Sequence, residues 1–177
     1  MHVLRTPRLM LEPQLAAHAA EMFGVLGDPA IYLHENAPPA SLAWLTERYA
    51  KLESRRSPDG RAFWLNWVVR LGVDGPLIGY VQATVQAGQP SHRSSLVAYE
   101  FNSRYWHQGY GAEAVQALLD ELANAWQVVR AQAVLKRSNQ GSMALLRRLG
   151  FTPGETDEAT ALAVDADETL MVLPLPA

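Results

Sequence analysis

Residues 99–115 read YEFNSRYWHQGYGAEAV, and this stretch decides the fold. It closes an alternating strand-like run, Ser94–Phe101 (SSLVAYEF), and opens a run of good helix formers, predicted as a helix over Ala112–Trp126. Between them stand two glycines, Gly109 and Gly111. Glycine lets a backbone approach a ligand closely and adopt torsions that other residues resist. The first N–H groups of the following helix lack intrahelical partners and sit at the positive end of its dipole, so the segment can hold an anion such as pyrophosphate. A tight strand-to-helix turn needs the same glycines. No Lys-Ser or Lys-Thr follows, which excludes a P-loop.

Working outward, "AFWLNWVVRL" (Ala62–Leu71) and "PLIGYVQATVQ" (Pro76–Gln86) flank Gly72 and Asp74-Gly75 and predict a hairpin. With Ser94–Phe101 they form a three-stranded antiparallel meander. A dinucleotide fold needs its glycine loop after the first parallel strand, so this is not one. Upstream, "RLMLE" (Arg8–Glu12) predicts a strand. A helix follows, with Leu15, His18, Ala19, Met22 and Leu26 on one face, and Gly27 stops it. Ser41 is read as the N-cap of a second helix whose apolar residues are Trp44, Leu45, Tyr49 and Leu52. Residues "SPDG" (57–60) and "GQPSHR" (88–93) read as turns. Downstream, "RAQAVLK" (Arg130–Lys136) predicts a strand and "SNQGSMALLRRLG" a helix stopped by Gly150. The tail "ATALAVDADETLMVLPL" reads as a final strand pair turning at Asp165–Asp167. The whole predicts one α/β (α+β) domain over residues 1–177, with a mixed, mostly antiparallel sheet flanked by helices.

Composition narrows the function. The 177 residues, 49% hydrophobic and 19% charged, suffice for a real core. The net charge of -3 argues against a non-specific nucleic-acid binder. Absence of cysteine excludes disulfides, thiolate metal sites and a cysteinyl intermediate. None of the five histidines has a metal-ligand spacing, so no metal is expected. No apolar run nears the roughly 20 residues of a membrane span. The N-terminal stretch lacks a signal-peptide core, so a cytoplasmic protein is expected.

With its flanks, the opening stretch resembles the acyl-CoA loop of the GNAT superfamily of N-acetyltransferases, Arg/Gln-x-x-Gly-x-Gly/Ala, here Trp106, His107, Gln108, Gly109, Tyr110 and Gly111. "SNQGSMALLRRLGFTPG" resembles the family's Asn-x-x-Ser/Ala helix closing in Gly-Phe, here Asn139, Ser142, Gly150 and Phe151. "LRTPRLMLEP" is similar to the opening of the ribosomal-protein N-terminal acetyltransferase-like branch. Trp106 at the first loop position suits that branch. His107 stands where the branch usually has glycine, and an inward side chain there would weaken the loop's hold on phosphate. Many relatives carry a tyrosine acid late in the last helix; Leu146 stands there instead.

The resemblance implies transfer of an acetyl group from acetyl-CoA to a primary amine, on a small molecule or a protein N-terminus, by direct attack in a ternary complex. The cradle would be Gln108, Gly109, Tyr110, Gly111 and Ala112. Pantetheine would lie beside the fourth strand in a gap opened by strand splay, held by backbone groups around Glu100 and Phe101 and by Asn139. Ser142 would reach the sulfur as general acid. Glu100 is the candidate base, since alternation sets it opposite Tyr99 and Phe101 and a carboxylate in an apolar strand lies near a cleft. A salt-bridged or strand-end glutamate is the plainer reading. A non-catalytic acyl-CoA-binding or sensor protein, and a nucleotide-binding domain of another fold, are the alternatives.

Other residues carry weaker signals. His34-Glu35 could line the acceptor site or sit in a solvated loop. His18 reads as a helix-face residue and His92 as surface. Trp64, Trp67 and Trp106 read as core. Lys136-Arg137 and Arg147-Arg148 could meet the 3′-phosphate of CoA or form a solvated basic end. The sheet edge left by the tail could pair two chains, so monomer and homodimer both stand.

Overall fold

The two ten-residue runs Ala62–Leu71 and Leu77–Gln86 pair as the central hairpin. In the computed structural model, which describes residues 1–34, 36–88 and 93–176, they are β3 and β4 of an eight-stranded sheet ordered β1-β2-β3-β4-β5-β6-β8-β7. The remaining strands are β1 (Leu4–Arg5), β2 (Leu9–Pro13), β5 (Ser94–Phe101), β6 (Arg130–Lys136), β7 (Thr152–Pro153) and β8 (Glu168–Pro174). Among the described strands only β5 and β6 pair in parallel. The helices are α1 (Ala19–Val25), α2 (Leu42–Leu52), α3 (Tyr110–Trp126), α4 (Gln140–Arg148) and α5 (Thr156–Ala161).

Alternation along the strands gives the sheet two apolar faces. On one, Val115, Leu118 and Leu122 of α3 and Met143 and Leu146 of α4 pack on Leu65, Trp67, Val81 and Val97. On the other, Met22 and Leu26 with Leu45 and Tyr49 pack on Val68 and Leu77. Each fully buried aliphatic or aromatic side chain contributes about 1.5–3 kcal/mol relative to exposure. Caps set the helix starts. The Ser41 Oγ accepts from the Trp44 N–H at 3.1 Å, as its position predicts. Asn139 does the same for α4, accepting from Ser142 N–H at 3.0 Å. Gly150, at φ +91, ends that helix in the left-handed region.

The parallel pair positions the site. Its register runs Ser94↔Arg130, Ser95↔Ala131 and Leu96↔Gln132, then stops. β5 continues to Phe101 and β6 to Lys136 without further pairing, so the sheet opens between them.

The tail corrects the expected strand pair. Its first part is α5, and only Glu168–Pro174 is a strand, paired with β6 on one side and with the two-residue β7 on the other. Two acidic residues in the first turn favour the helix. Glu158 also anchors it, accepting from Arg130 Nε and Nη2 at 2.6 Å each. The turn at Asp165–Asp167 is where the sequence places it. The short β1, pairing Leu4 with Leu11, is an element the sequence did not announce.

Candidate active site

β5 carries Tyr99, Glu100 and Phe101 to the mouth of the opening. Asn102 N–H donates to the Ile78 carbonyl at 2.9 Å. Along an antiparallel ladder, alternate residues turn their N–H and C=O to opposite edges. The backbone groups of Val97, Tyr99 and Phe101 therefore face the opening, whereas those of Glu100 face β4. Of the two residues expected to offer backbone groups there, only Phe101 does. Its carbonyl accepts from the Trp106 indole N–H at 2.7 Å, so its N–H is what it presents. Trp106 is 38% exposed, not core: its ring works as a clasp at the strand end. Trp67 is fully buried as expected, and Trp64 is half-buried.

The glycine loop turns through left-handed torsions at His107 (φ +59) and Gly109 (φ +83) and enters α3 at Tyr110, two residues before the expected start. The N–H groups of Tyr110, Gly111 and Ala112 occupy the first turn, with no side chain capping it. The two glycines act differently. Gly109 supplies the torsion. A Cβ on Gly111 would lie 2.9 Å from Leu145 Cδ1 and 3.6 Å from Phe101, so this glycine lets α3 seat closely on α4 and β5. His107 is exposed and makes no hydrogen bond or ion pair among the described residues. Its positive φ is the physical reason a glycine would suit this position.

A tether that the sequence reading missed holds the loop. Arg8 donates from Nη1 to the Gln108 carbonyl (2.9 Å) and from Nε to Glu113 (2.6 Å), and Thr6 Oγ1 donates to Glu113 at 2.6 Å. The guanidinium also lies 4.5 Å from the Tyr110 ring centroid. Burial alone would raise the Glu113 carboxyl, but the hydrogen bonds from Thr6 and Arg8 outweigh it and hold it below its ordinary value. The available signal was an acidic residue in the first turn of α3.

On the α4 side, Asn139 Oδ1 is used in capping, which leaves its amide N–H₂ for the opening. The Ser142 Oγ lies 2.7 Å from the Tyr99 hydroxyl. Burial pushes the Tyr99 phenol up to about 12, with the Ser142 contact acting the other way.

On the opposite face of β5, Glu100 meets a ring of polar side chains. Asn36 Nδ2 donates to its Oε1 at 3.2 Å, and the Tyr80 hydroxyl is hydrogen-bonded to its carboxylate. Burial raises the phenols of Tyr32 (to about 12), Tyr49 and Tyr80, and the charge of Glu100 adds to each. The Tyr49 hydroxyl and Gln14 Nε2 are buried without a hydrogen-bond partner among the described residues. One cavity of about 1040 Å³ is lined by all of these residues and by Gly109, Gly111, Ala112, Asn139 and Ser142. Its mouth carries Leu33 (71% exposed) and Trp44 (46% exposed), and Arg48 lies 5.5 Å over the Trp44 ring. His34, which lines the cavity, lies with Nδ1 3.1 Å from Ser138 Oγ. Glu35 and His92 lie outside the described residues. His18, in the turn that opens α1, lies 3.4 Å from Glu12.

Arg148 also lines the cavity, but Lys136 is engaged elsewhere, with Asp167 and Glu168 at 3.0 Å each. Those carboxylates raise the Lys136 amine above its usual value. With Asp165 they are the described group whose oxygens are close enough for a metal ion, and none of them lines the cavity. No helix among the described residues is long and apolar enough to cross a membrane.

Residues 8–152 match the family model described as an acetyltransferase (GNAT) domain. No curated protein matches the sequence. Among solved structures, RimL, a ribosomal L7/L12 alpha-N-protein acetyltransferase in complex with coenzyme A, superposes with a TM-score of 0.78 at 16% identity, covering 98% of each chain. The ribosomal-protein-S5-alanine acetyltransferase from Vibrio fischeri gives 0.75 at 18% identity, covering 97% of this chain and 96% of that one. The microcin C7 self-immunity acetyltransferase MccE, in complex with acetyl-CoA and AMP, gives 0.73 at 14% identity, covering 96% and 94%. At these identities the likeness is one of fold.

Proposed function

The chain belongs to the acetyltransferase (GNAT) family, and from that premise we propose that it transfers an acetyl group from acetyl-CoA to a primary amine, on a small molecule or a protein N-terminus, by direct attack in a ternary complex. The observation that carries the proposal is the unpaired stretch between β5 and β6, with Glu100 on one face of β5 and Ser142 at the other. Two relatives of the same fold, RimL and MccE, are described in complex with CoA and acetyl-CoA, which supports the donor.

In this reading the pyrophosphate lies at the N–H groups of Tyr110, Gly111 and Ala112, with Gln108 and Gly109 forming the bend. The pantetheine arm runs along Tyr99 and Phe101 like an added strand, with the Asn139 amide donating to it. A lysine-like amine has a pKa of roughly 10 in water and must lose a proton to attack. Glu100 takes that proton, directly or through water, with Tyr80 and Asn36 fixing its carboxylate. The Phe101 N–H faces the oxygen on which negative charge develops. Ser142 serves the departing sulfur. The same reading holds the protein to be a cytoplasmic monomer or homodimer that needs no metal.

Calorimetric titration with CoA, followed by thiol release from acetyl-CoA with a panel of primary amines, tests it. Binding with amine-dependent thiol release is the expected result. Absence of CoA binding would overturn the reading. Binding without release from any amine would replace it with a non-catalytic acyl-CoA-binding protein.

A further inference from the structure

We propose that Tyr99 is a positioning residue that aims the Ser142 hydroxyl at the departing CoA thiolate; this rests on the acetyl-transfer reading above. Many proteins of this kind place a phenol on the last helix, and here that position is the buried Leu146. The phenol that the structure does bring to α4 comes from β5, 43 residues earlier in the chain.

Relative acidity favours one oxygen as the donor. The Tyr99 hydroxyl faces two oxygens of one residue, Ser142 Oγ at 2.7 Å and the Ser142 carbonyl at 3.4 Å. A carbonyl only accepts, and a phenol is the better donor of a phenol–alcohol pair. In the proposed arrangement the more acidic phenol donates to Oγ, its nearer partner at 2.7 Å. Its phenol, pushed up to about 12, keeps its proton through neutral pH. The single Ser142 proton is then free to point into the cavity that both residues line. Strand alternation sets this pair on the face of β5 opposite Glu100, so base and thiolate donor do not compete.

When the tetrahedral intermediate collapses, the C–S bond breaks and its electron pair stays on sulfur. The Ser142 O–H donates a hydrogen bond to that thiolate. Neither Ser142 nor Tyr99 gives up its proton; the amine's proton has gone to Glu100 or water, and the thiolate leaves or takes a proton from water.

The test is titration of the thiol of enzyme-bound CoA, read by thiolate absorbance, in the wild type, Tyr99→Phe, Ser142→Ala and the double variant. Phenylalanine keeps the ring that packs 6.5 Å from Phe101, so the fold is preserved, which melting temperature checks. The charged residues that line the cavity (Glu100, Arg48 and Arg148), with His34 and His107, are common to all four proteins. Bound CoA in the wild type should ionise more readily than free CoA. Each single variant should lower its acid dissociation constant about tenfold, the worth of one hydrogen bond to a charge. The double variant should fall no further than Ser142→Ala. Turnover should drop about tenfold with KM for acetyl-CoA unchanged. Tyr99→Phe with a wild-type thiol titration, or additive losses in the double variant, would overturn the assignment while leaving the acetyl-transfer reading intact. A wild type that neither binds CoA nor releases thiol would overturn both.

Discussion

In the proposed reading the cavity has a donor half and an acceptor half, and they are built by different means. The donor half is mostly backbone: the first turn of α3, the edge of β5 facing the opening, and two glycines that admit them. The acceptor half is mostly side chain: Asn36, Tyr49, Tyr80 and Glu100, brought together from a loop, a helix and two strands. Backbone groups are the same in every protein, so a half made of them suits a ligand that does not change. Side chains can be exchanged singly, so the other half is free to follow its amine. The two meet at β5, whose alternation sends Glu100 one way and Tyr99 the other.

This division can be broken by experiment. Glu100→Gln should cut turnover about 100-fold or more and leave CoA affinity unchanged. A parallel loss of CoA binding, read by calorimetry, would show the halves to be one. Gly109→Val forces a β-branched residue to φ +83, with its Cβ about 3.2 Å from Arg8 Nη2. CoA binding should weaken at least about tenfold as the first turn of α3 is displaced. An unchanged dissociation constant would remove the cradle.

Glu113→Gln loosens the tether at the cost of about 1 kcal/mol of stability near neutral pH, since its partner Arg8 is partly exposed. The folded-state carboxyl ionises below its unfolded value of about 4.3. Its contribution is therefore complete above that value and lost as pH falls through the lower, folded one. The gap in melting temperature between wild type and variant should close on acidification; a gap that persists in strong acid would show that charge is not its source. The smallest effect belongs to His107→Gly. Relief of the left-handed strain and the added freedom of the unfolded chain nearly cancel, so stability should move by less than about 1 kcal/mol in a denaturant titration. CoA affinity should hold, because the exposed imidazole makes no hydrogen bond among the described residues.

The same division explains what the sequence disclosed. Period-two alternation marked β3, β4 and β5, and Ser41 marked the start of α2, because each is a local rule. Gly109 was legible as a turn glycine, and Asn139 and Ser142 only through the resemblance to a family motif, whose spacing is that of a helix cap. The polar ring around Glu100 was not, since Tyr80 reaches it only through the β4–β5 register and Asn36 only through a loop. The Arg8–Glu113 tether spans 105 residues and leaves no local pattern. The tail misled because Leu and Val alternate through it, while the contact that makes α5 a helix, Arg130 to Glu158, is tertiary. Trp106 misled for the opposite reason: a large ring was assumed to seek the core, whereas its N–H was needed at Phe101.

The parting of β5 from β6 has a price in self-association. An unpaired ladder is what a foreign strand seeks, and here two such edges lie within one sheet. In this chain α3 and α4 cover one face and α1 and α2 the other, while the Trp106 clasp occupies a carbonyl at the exposed end. In the proposed reading the gap is filled by the narrow, flexible pantetheine arm, which takes the place a foreign strand would seek.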